Sequence, residues 1–378
     1  VESLRKTGER IVIVGGGIAG VATAWGLVQR GATDVVLLER ERQLGAHATS
    51  KNASILRTFT GEPASTELGL ETMAFLVAPP AGFCEVPLVD PVGLVLVPET
   101  FDPEAFVAWR ARKPEGSVVQ LEEEALRTLA PHYAGYGKGA LLVRDEGHLD
   151  TSALFDGLLR VAREGGLEVR LQAKVRDFLR DGERVVGVEL EDGESVRGDQ
   201  LVVAAGGWAQ VLARRAGSRQ NFEPRRRHLM VTGPEERVDR RWPIVWSERD
   251  AFYVRPESGG LMVCACDQDV VDPDDCQELP EVLELIAERA TRCLNGFEDA
   301  PAAHFWAGMR TFTPDPAFAI GPDPQVPGLF WVAGLGGHGM TTSVGVGRLA
   351  SGLLLGERVD PDVARAVDPA RFPGAPQG

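Results

Sequence analysis

The sequence predicts a mixed α/β fold in which a doubly wound parallel-sheet domain is interleaved with an antiparallel-sheet domain. Three observations predict it. A strand–turn–helix–strand pattern opens the chain at residues 10–39. Continuous apolar strands ending in glycine recur in the middle, DQLVVAAGGW, and near the end, GLFWVAG. Between them RHLMVT, AFYVRP and GLMVCAC are separated by charged or proline-bearing loops, the pattern of antiparallel strands.

The elements follow in order. RIVIV is a buried strand, GGGIAG a tight turn, and GIAGVATAWGLVQRG a helix with small residues on one side. DVVLLER is the next parallel strand and completes a βαβ unit. LGAHATSKNASILR (44–57) is a polar loop too long for a simple connection. VGLVLVPE (92–99) predicts a strand, and residues 102–130 a mostly helical segment. SALFDGLLRVAREGG (152–166) is an amphipathic helix ended by Gly-Gly. LEVRLQAKVRDF reads as a strand, and RVVGVELEDGESV as a hairpin with Asp-Gly at its tip. A helix at about 280–294 interrupts the antiparallel strands. GLFWVAG (328–334) leads to a helix ending at about 355, and the proline-rich tail from Asp360 reads as irregular. The nucleotide-type pieces are therefore 1–75, 148–215 and 305–378, and the second domain takes 76–147 and 216–304.

Composition narrows the function. The 378 residues allow a sizeable core and two domains. With 44% hydrophobic and 25% charged residues, the chain is ordinary for a globular protein. A net charge of −15 argues against nucleic acid or an anionic membrane as partner, since either wants a basic surface. Solubility is sufficient reason for the charge. No apolar run reaches membrane-spanning length. VESLRKTGER carries no apolar signal core, so a cytoplasmic protein is expected. The five cysteines show no paired framework. Cys264 and Cys266 read as one face of a strand. No metal is expected, because further ligands are missing nearby.

Gly15, Gly17 and Gly20 form G-x-G-x-x-G directly between a strand and a helix. The first permits the turn, the second lets backbone approach a pyrophosphate, and the third lets helix and strand pack closely. With Ile18 and Ala19 in this turn, the helix N-terminus faces the phosphates. Glu39, ending the second strand before Arg40, would accept both hydroxyls of an unphosphorylated ribose. The alternative is a glycine turn with no ligand. This motif alone does not separate NAD from FAD. The interruption after the second strand and the glycine turn at Ala205 and Gly206 favour FAD, because an NAD dehydrogenase usually completes a contiguous nucleotide domain first. GGHGMTTSVGVG (336–347) adds a second glycine stretch that an NAD enzyme gives no reason for.

VGGGIAG with LLERE, GAHATSKNAS, DEGHLDTSAL, VVAAGGW, FWAGMRTFTPDPAFAIG and FWVAGLGGHGM resemble the D-amino-acid oxidase superfamily of flavoproteins. That family includes glycine and sarcosine oxidases and D-amino-acid dehydrogenases, and the resemblance spans nearly the whole chain. PPAGFCEVPL (79–88), PRRRH, AFYVRP and FWAGMRTF are similar to the bacterial D-arginine dehydrogenases within it. The resemblance implies FAD, with a Rossmann-like domain holding its pyrophosphate at the first glycine loop. It puts Gly336, Gly337, His338, Gly339, Met340 and Thr341 against the isoalloxazine, before a helix whose N-terminus supports the anionic reduced ring. Ala48, Thr49, Ser50, Val175, Ala205, Gly206, Gly308 and Arg310 join the implied cofactor set. The cysteine that tethers flavin in some sarcosine oxidases corresponds to Gly308, so the expected FAD is noncovalent. His47 is not expected to supply another link.

An α-amino acid needs its carboxylate fixed so that the Cα–H points at flavin N5, and a bidentate arginine does this best. Arg310 matches the family position that grips the carboxylate; a structural salt bridge is the alternative. Tyr253 matches a tyrosine that reaches the same group, with core packing as its rival. Arg227 matches a second pocket arginine, although its neighbours Arg225 and Arg226 make solvated charge a competitor. Arg57 is a further candidate, because an arginine near this point binds carboxylate in sarcosine oxidases. His338 is either catalytic or a packing residue. The departures matter as well. The acid expected after PLVDP is absent, the chain reading Val92, Gly93, Leu94. The histidine and tyrosine expected at the pocket mouth fall on Ile55 and Thr60, and Thr341 replaces an amide or lysine. A less polar pocket and a less basic side chain than arginine follow.

The implied reaction is hydride transfer from the Cα of an amino acid, D-configured by resemblance, to flavin N5. Water then hydrolyses the imino acid to a 2-oxo acid. The protein's part is orientation and electrostatic support. The electron acceptor, oxygen or a quinone, stays open. Rival readings are a secondary amine (sarcosine-like or cyclic), a 2-hydroxy acid, and a flavin-binding subunit without turnover.

Overall fold

The computed structural model describes residues 8–99, 103–135, 139–297 and 299–372. The N-terminal VESLRKT and residues 100–102, 136–138, 298 and 373–378, which fall in the expected elements or pieces, lie outside them.

Ile11–Val14 is buried at every residue and pairs in parallel with Val35–Leu38 on one side and Gln200–Val203 on the other. Glu168–Arg170 and Leu329–Ala333 extend this parallel sheet, and Ala319–Pro322 closes one edge antiparallel, making six strands. Because side chains alternate along a strand, Ile11 and Ile13 enter one core while Val12 and Val14 enter another. The first core is covered by the helices Ile18–Gln29, Thr151–Glu164 and Ser343–Leu354. The second is covered by a three-stranded antiparallel sheet, residues 175–197, and the helix Ala209–Arg215. Parallel strands covered on both faces explain why these segments read as continuous apolar runs.

The second sheet has eight strands. Ala302–Phe312 and Glu223–Thr232 pair antiparallel along their length. Gly260–Cys264, Phe252–Glu257, Ile244–Ser247, Leu94–Val97, Ala140–Val143 and Val118–Leu121 follow. Only Ile244–Ser247 beside Leu94–Val97 runs parallel among its described pairs. The helix Val282–Cys293 covers one face through Val282, Ile286 and Ala290. The strand Ala302–Phe312 carries residues 305–312, expected among the nucleotide-type pieces, in this sheet.

Several local expectations are corrected. Residues 102–130 hold two short helices, Pro103–Ala111 and Glu123–Leu129, around the strand Val118–Leu121. LEVRLQAKVRDF is two strands in two different sheets, Glu168–Arg170 and Val175–Asp181, with Gln172 between them at φ 56°. The tail is ordered as the helix Pro361–Val367, where the Asp360 carboxylate accepts from the N–H groups of Asp362 and Val363. Cys266 does not share a strand face with Cys264: it lies past the strand end at φ 50°.

Candidate active site

A cavity of about 560 Å³ runs from the C-terminal ends of the parallel strands to the eight-stranded sheet. It is lined by every residue expected from sequence to bind cofactor or substrate except Gly20, Ser50 and Tyr253. Gly20 acts from behind, because a Cβ there would strike the Gly15 carbonyl. Ser50 is exposed, and its hydroxyl donates to the carbonyls of Ala46 and His47 at 3.2 Å.

At one end the first helix points its N-terminus into the cavity. Thr49 Oγ1 accepts from the Ile18 N–H at 2.9 Å, so the polar loop caps the helix from above. Glu39 accepts from the Gly16 N–H at 2.8 Å and the Glu41 N–H at 2.9 Å. This fixes its carboxylate at the cavity wall. Arg40 lies 4.5 Å over the Trp208 ring and pairs with Asp274 at 2.9 Å. The His47 Nε2 is 3.0 Å from Glu41. Val175 and Ala205 complete this end.

At the other end the second glycine stretch crosses over Arg310. Gly337 has φ +92°, and a Cβ on it would lie 2.6 Å from Arg310 Nε. Its glycine is thus required by backbone conformation and by the guanidinium beneath. The Arg310 side chain makes no hydrogen bond or ion pair among the described residues. Burial and the neighbouring Arg227 push its pKa down. Arg227 is itself buried, not solvated. Its Nε donates to the Asp267 carbonyl at 2.6 Å. The Asp267 carboxylate in turn accepts from the His228 N–H at 3.0 Å and lies 2.7 Å from His228 Nδ1.

Tyr253 is fully buried, and its hydroxyl has no hydrogen-bond partner among the described residues. Its ring stacks on Trp246 at 4.5 Å, and Arg57 stacks on the opposite side of that layer, 4.4 Å over Trp246. Arg57 Nη1 pairs with Glu248 at 2.8 Å. His338 faces Arg57, Arg310 and Arg227; burial first, and then those cations, lower its pKa to about 3. It is neutral at ordinary pH. Thr341 Oγ1 donates to the Ile55 carbonyl at 3.3 Å, and Gly308 packs on Lys51, whose carbonyl would lie 3.0 Å from a Cβ.

No acid follows PLVDP, but Glu248 brings a carboxylate to the cavity from a different strand end, where Arg57 pairs with it. Sequence reasoning missed Glu248, Trp246 and the placement of Cys264 and Cys266. PIVWSERD carries no recognisable motif, and its partner Arg57 lies in a distant segment. The C-x-C was visible but carried no sign of its neighbours. Among the described residues no cluster of acidic, histidine and cysteine side chains could hold a metal, and no helix is long and apolar enough to cross a membrane.

The residues fit FAD. One cavity joins a helix N-terminus, a ribose-ready carboxylate and a second glycine stretch, the layout an elongated dinucleotide requires. The chain is 28% identical to 4-methylaminobutanoate oxidase (formaldehyde-forming) of Paenarthrobacter nicotinovorans, over 97% of this chain and 46% of that protein. It thus spans about half the length of that relative. To the glycine oxidase of Pseudomonas aeruginosa it is 27% identical, over 98% of this chain and 99% of that one. The solved structure of L-proline dehydrogenase from P. horikoshii shares the fold, with a TM-score of 0.83 at 21% identity and 96% and 97% of the two chains covered. Residues 10–353 match the family described as FAD dependent oxidoreductase (DAO), and the chain belongs to that family.

Proposed function

We propose that this protein oxidises the Cα–N bond of an amino acid, D-configured and with a side chain less basic than arginine's, to an imino acid that water hydrolyses to a 2-oxo acid. One observation carries the reading: Arg310 lines the cavity under the second glycine stretch with no anion to pair with among the described residues. A half-buried, unpaired guanidinium is a carboxylate receptor. Bound FAD supplies the hydride acceptor.

The chain's own residues hold the substrate in place. Arg310 takes both carboxylate oxygens, and Tyr253, fully buried behind the cavity wall, backs the site through its stack on Trp246. Arg227, fixed by Asp267, closes the carboxylate end. Arg57, locked between Glu248 and Trp246, walls the side-chain end. His338, neutral by burial, takes no proton, and no base is needed when the amine binds neutral. Pieces 1–75, 148–215 and 305–378 hold FAD, with Arg57 and Arg310 reaching from them to the substrate, and 76–147 and 216–304 supply the rest of the substrate side.

A secondary amine is the second reading. The 28% identity to 4-methylaminobutanoate oxidase across 97% of the chain favours it. The test is the visible spectrum of the purified holoenzyme under anaerobic conditions, with pooled D-amino acids, L-amino acids and N-methyl amino acids added separately. Bleaching by the D pool alone is expected. Bleaching by the N-methyl pool alone moves the assignment to secondary amines, and no bleaching overturns both readings. Readmitting oxygen to the bleached enzyme and measuring peroxide separates oxygen from a quinone as acceptor.

A further inference from the structure

Near the second glycine stretch the cavity presents Arg57, Arg227 and Arg310, and their counter-charges are unequal. Arg57 has Glu248 at 2.8 Å. Arg227 and Arg310 have no carboxylate within ion-pair distance among the described residues, yet they are close enough for Arg227 to depress the pKa of Arg310. A buried cation such as Arg227 needs an anion. The strand on the far side of Arg227 from Arg310 carries Cys264. Its strand partner is Tyr253, and its neighbouring strand carries Arg227. Cys264 is fully buried, its Sγ accepts from the Cys266 N–H at 3.3 Å, and Arg227 Nη1 stands 4.0 Å away.

We propose that Cys264 is held as a thiolate and serves as the internal counter-anion of Arg227, leaving Arg310 as the cation that a single substrate carboxylate neutralises. This rests on the carboxylate-binding role proposed for Arg310. Burial opposes the charge, but the hydrogen bond from Cys266, the guanidiniums of Arg227 and Arg310 and the neighbouring Tyr253 outweigh it and hold the thiol below its ordinary range. The same contact, with burial, raises Cys266, so the pair carries one negative charge and not two. Tyr253 is raised by burial and by Cys264, which keeps its hydroxyl protonated and a donor. Cys266 lines the cavity whereas Cys264 does not. Cys264 is therefore a positioning residue: it restrains Arg227 and offsets its charge, leaving Arg310 as the uncompensated cation beside it. A dicarboxylate would overfill such a site.

The charge count makes the test. Acetate and malonate are titrated into the oxidised holoenzyme, and binding is read from the perturbed visible flavin band. Cys264→Ser removes the anion, and the malonate-over-acetate affinity ratio is expected to rise roughly tenfold, as for unit charges a few ångströms apart in a partly screened site. Cys264→Asp restores an anion and is expected to bring the ratio back. A merely structural cysteine would move both affinities together. An unchanged ratio in Cys264→Ser with FAD retained overturns the proposal. If neither anion perturbs the wild-type flavin, the carboxylate role of Arg310 fails and this proposal with it. Should Cys264→Ser fail to fold, the wild type alone decides through its far-ultraviolet thiolate absorbance. Absorbance that persists well below the ordinary thiol pKa of about 8.5 supports the thiolate, and its complete loss near that value overturns it.

Discussion

Arg310 and Gly337 form one device, since the glycine exists where the guanidinium passes. Arg310→Lys keeps the charge and removes the planar pair of donors. Charge-assisted hydrogen bonds of this kind are worth about 1.5–3 kcal/mol, so kcat/KM is expected to fall roughly 10- to 100-fold, mostly through KM. Gly337→Ala substitutes no substrate-touching side chain. Its φ of +92° and the Arg310 Nε at 2.6 Å force either the loop or the guanidinium to move. The same KM-weighted loss is expected, with flavin still bound. Steady-state kinetics beside the flavin absorbance of each variant check both, and a Gly337→Ala enzyme with unaltered KM would separate loop from arginine. Sequence could reveal these two residues as motif members, Arg310 in FWAGMRTF and Gly337 in the GGHGM stretch. It could not reveal that they touch. Glu248 and Cys264 were hidden for the same reason: their roles depend on Arg57 and Arg227, brought close only by sheet pairing.

At the scale of elements, the two glycine loops are tied by the helices behind them. Ile18–Gln29 and Ser343–Leu354 cross at Gly26 and Gly347. A Cβ on Gly347 would overlap the Ala22 carbonyl, which is backbone and cannot swing aside. Gly347→Ala must therefore separate the helices, at a cost of about 1–3 kcal/mol typical of overpacking. Because each helix follows one glycine loop, the variant is expected to lower the denaturation midpoint and also to weaken FAD retention. Denaturant unfolding of the apo form and flavin release on dilution measure the two effects. Normal FAD retention in a destabilised variant would show that the loops do not depend on the crossing. The βαβ unit was legible because its strands are apolar throughout and its helix is rich in small residues. Val118–Leu121 was not, because VVQL lies between helix-forming charged segments and becomes a strand only by pairing with Ala140–Val143. Likewise the helix Pro361–Val367 is short, and its sign was the Asp360–Pro361 start, outweighed by the proline content around it.

For the whole molecule, burial of neutral histidines ties stability to pH. His132 is buried with both ring nitrogens unpaired, stacked 4.7 Å from Trp242, and burial lowers its pKa to about 4. His148 is lowered to about 4 by burial and then by Arg255. The unfolded chain protonates these rings below about 6.5, whereas the folded protein refuses the proton until about pH 4. Stability is therefore complete above about pH 6.5 and declines as pH falls toward about 4, by up to about 1.4 kcal/mol per pH unit for each ring. Both rings lie outside the flavin cavity, so ligand binding does not confuse the reading. His132→Phe keeps an aromatic ring on Trp242 and removes the titration. The melting temperatures of variant and wild type are expected to diverge in the variant's favour between about pH 8 and about pH 5. His148 remains in the variant, so part of the acid sensitivity persists. Curves that stay parallel across that interval would mean that His132 accepts its proton in the folded state, and that Trp242 and its surroundings open to water long before the sheet unfolds.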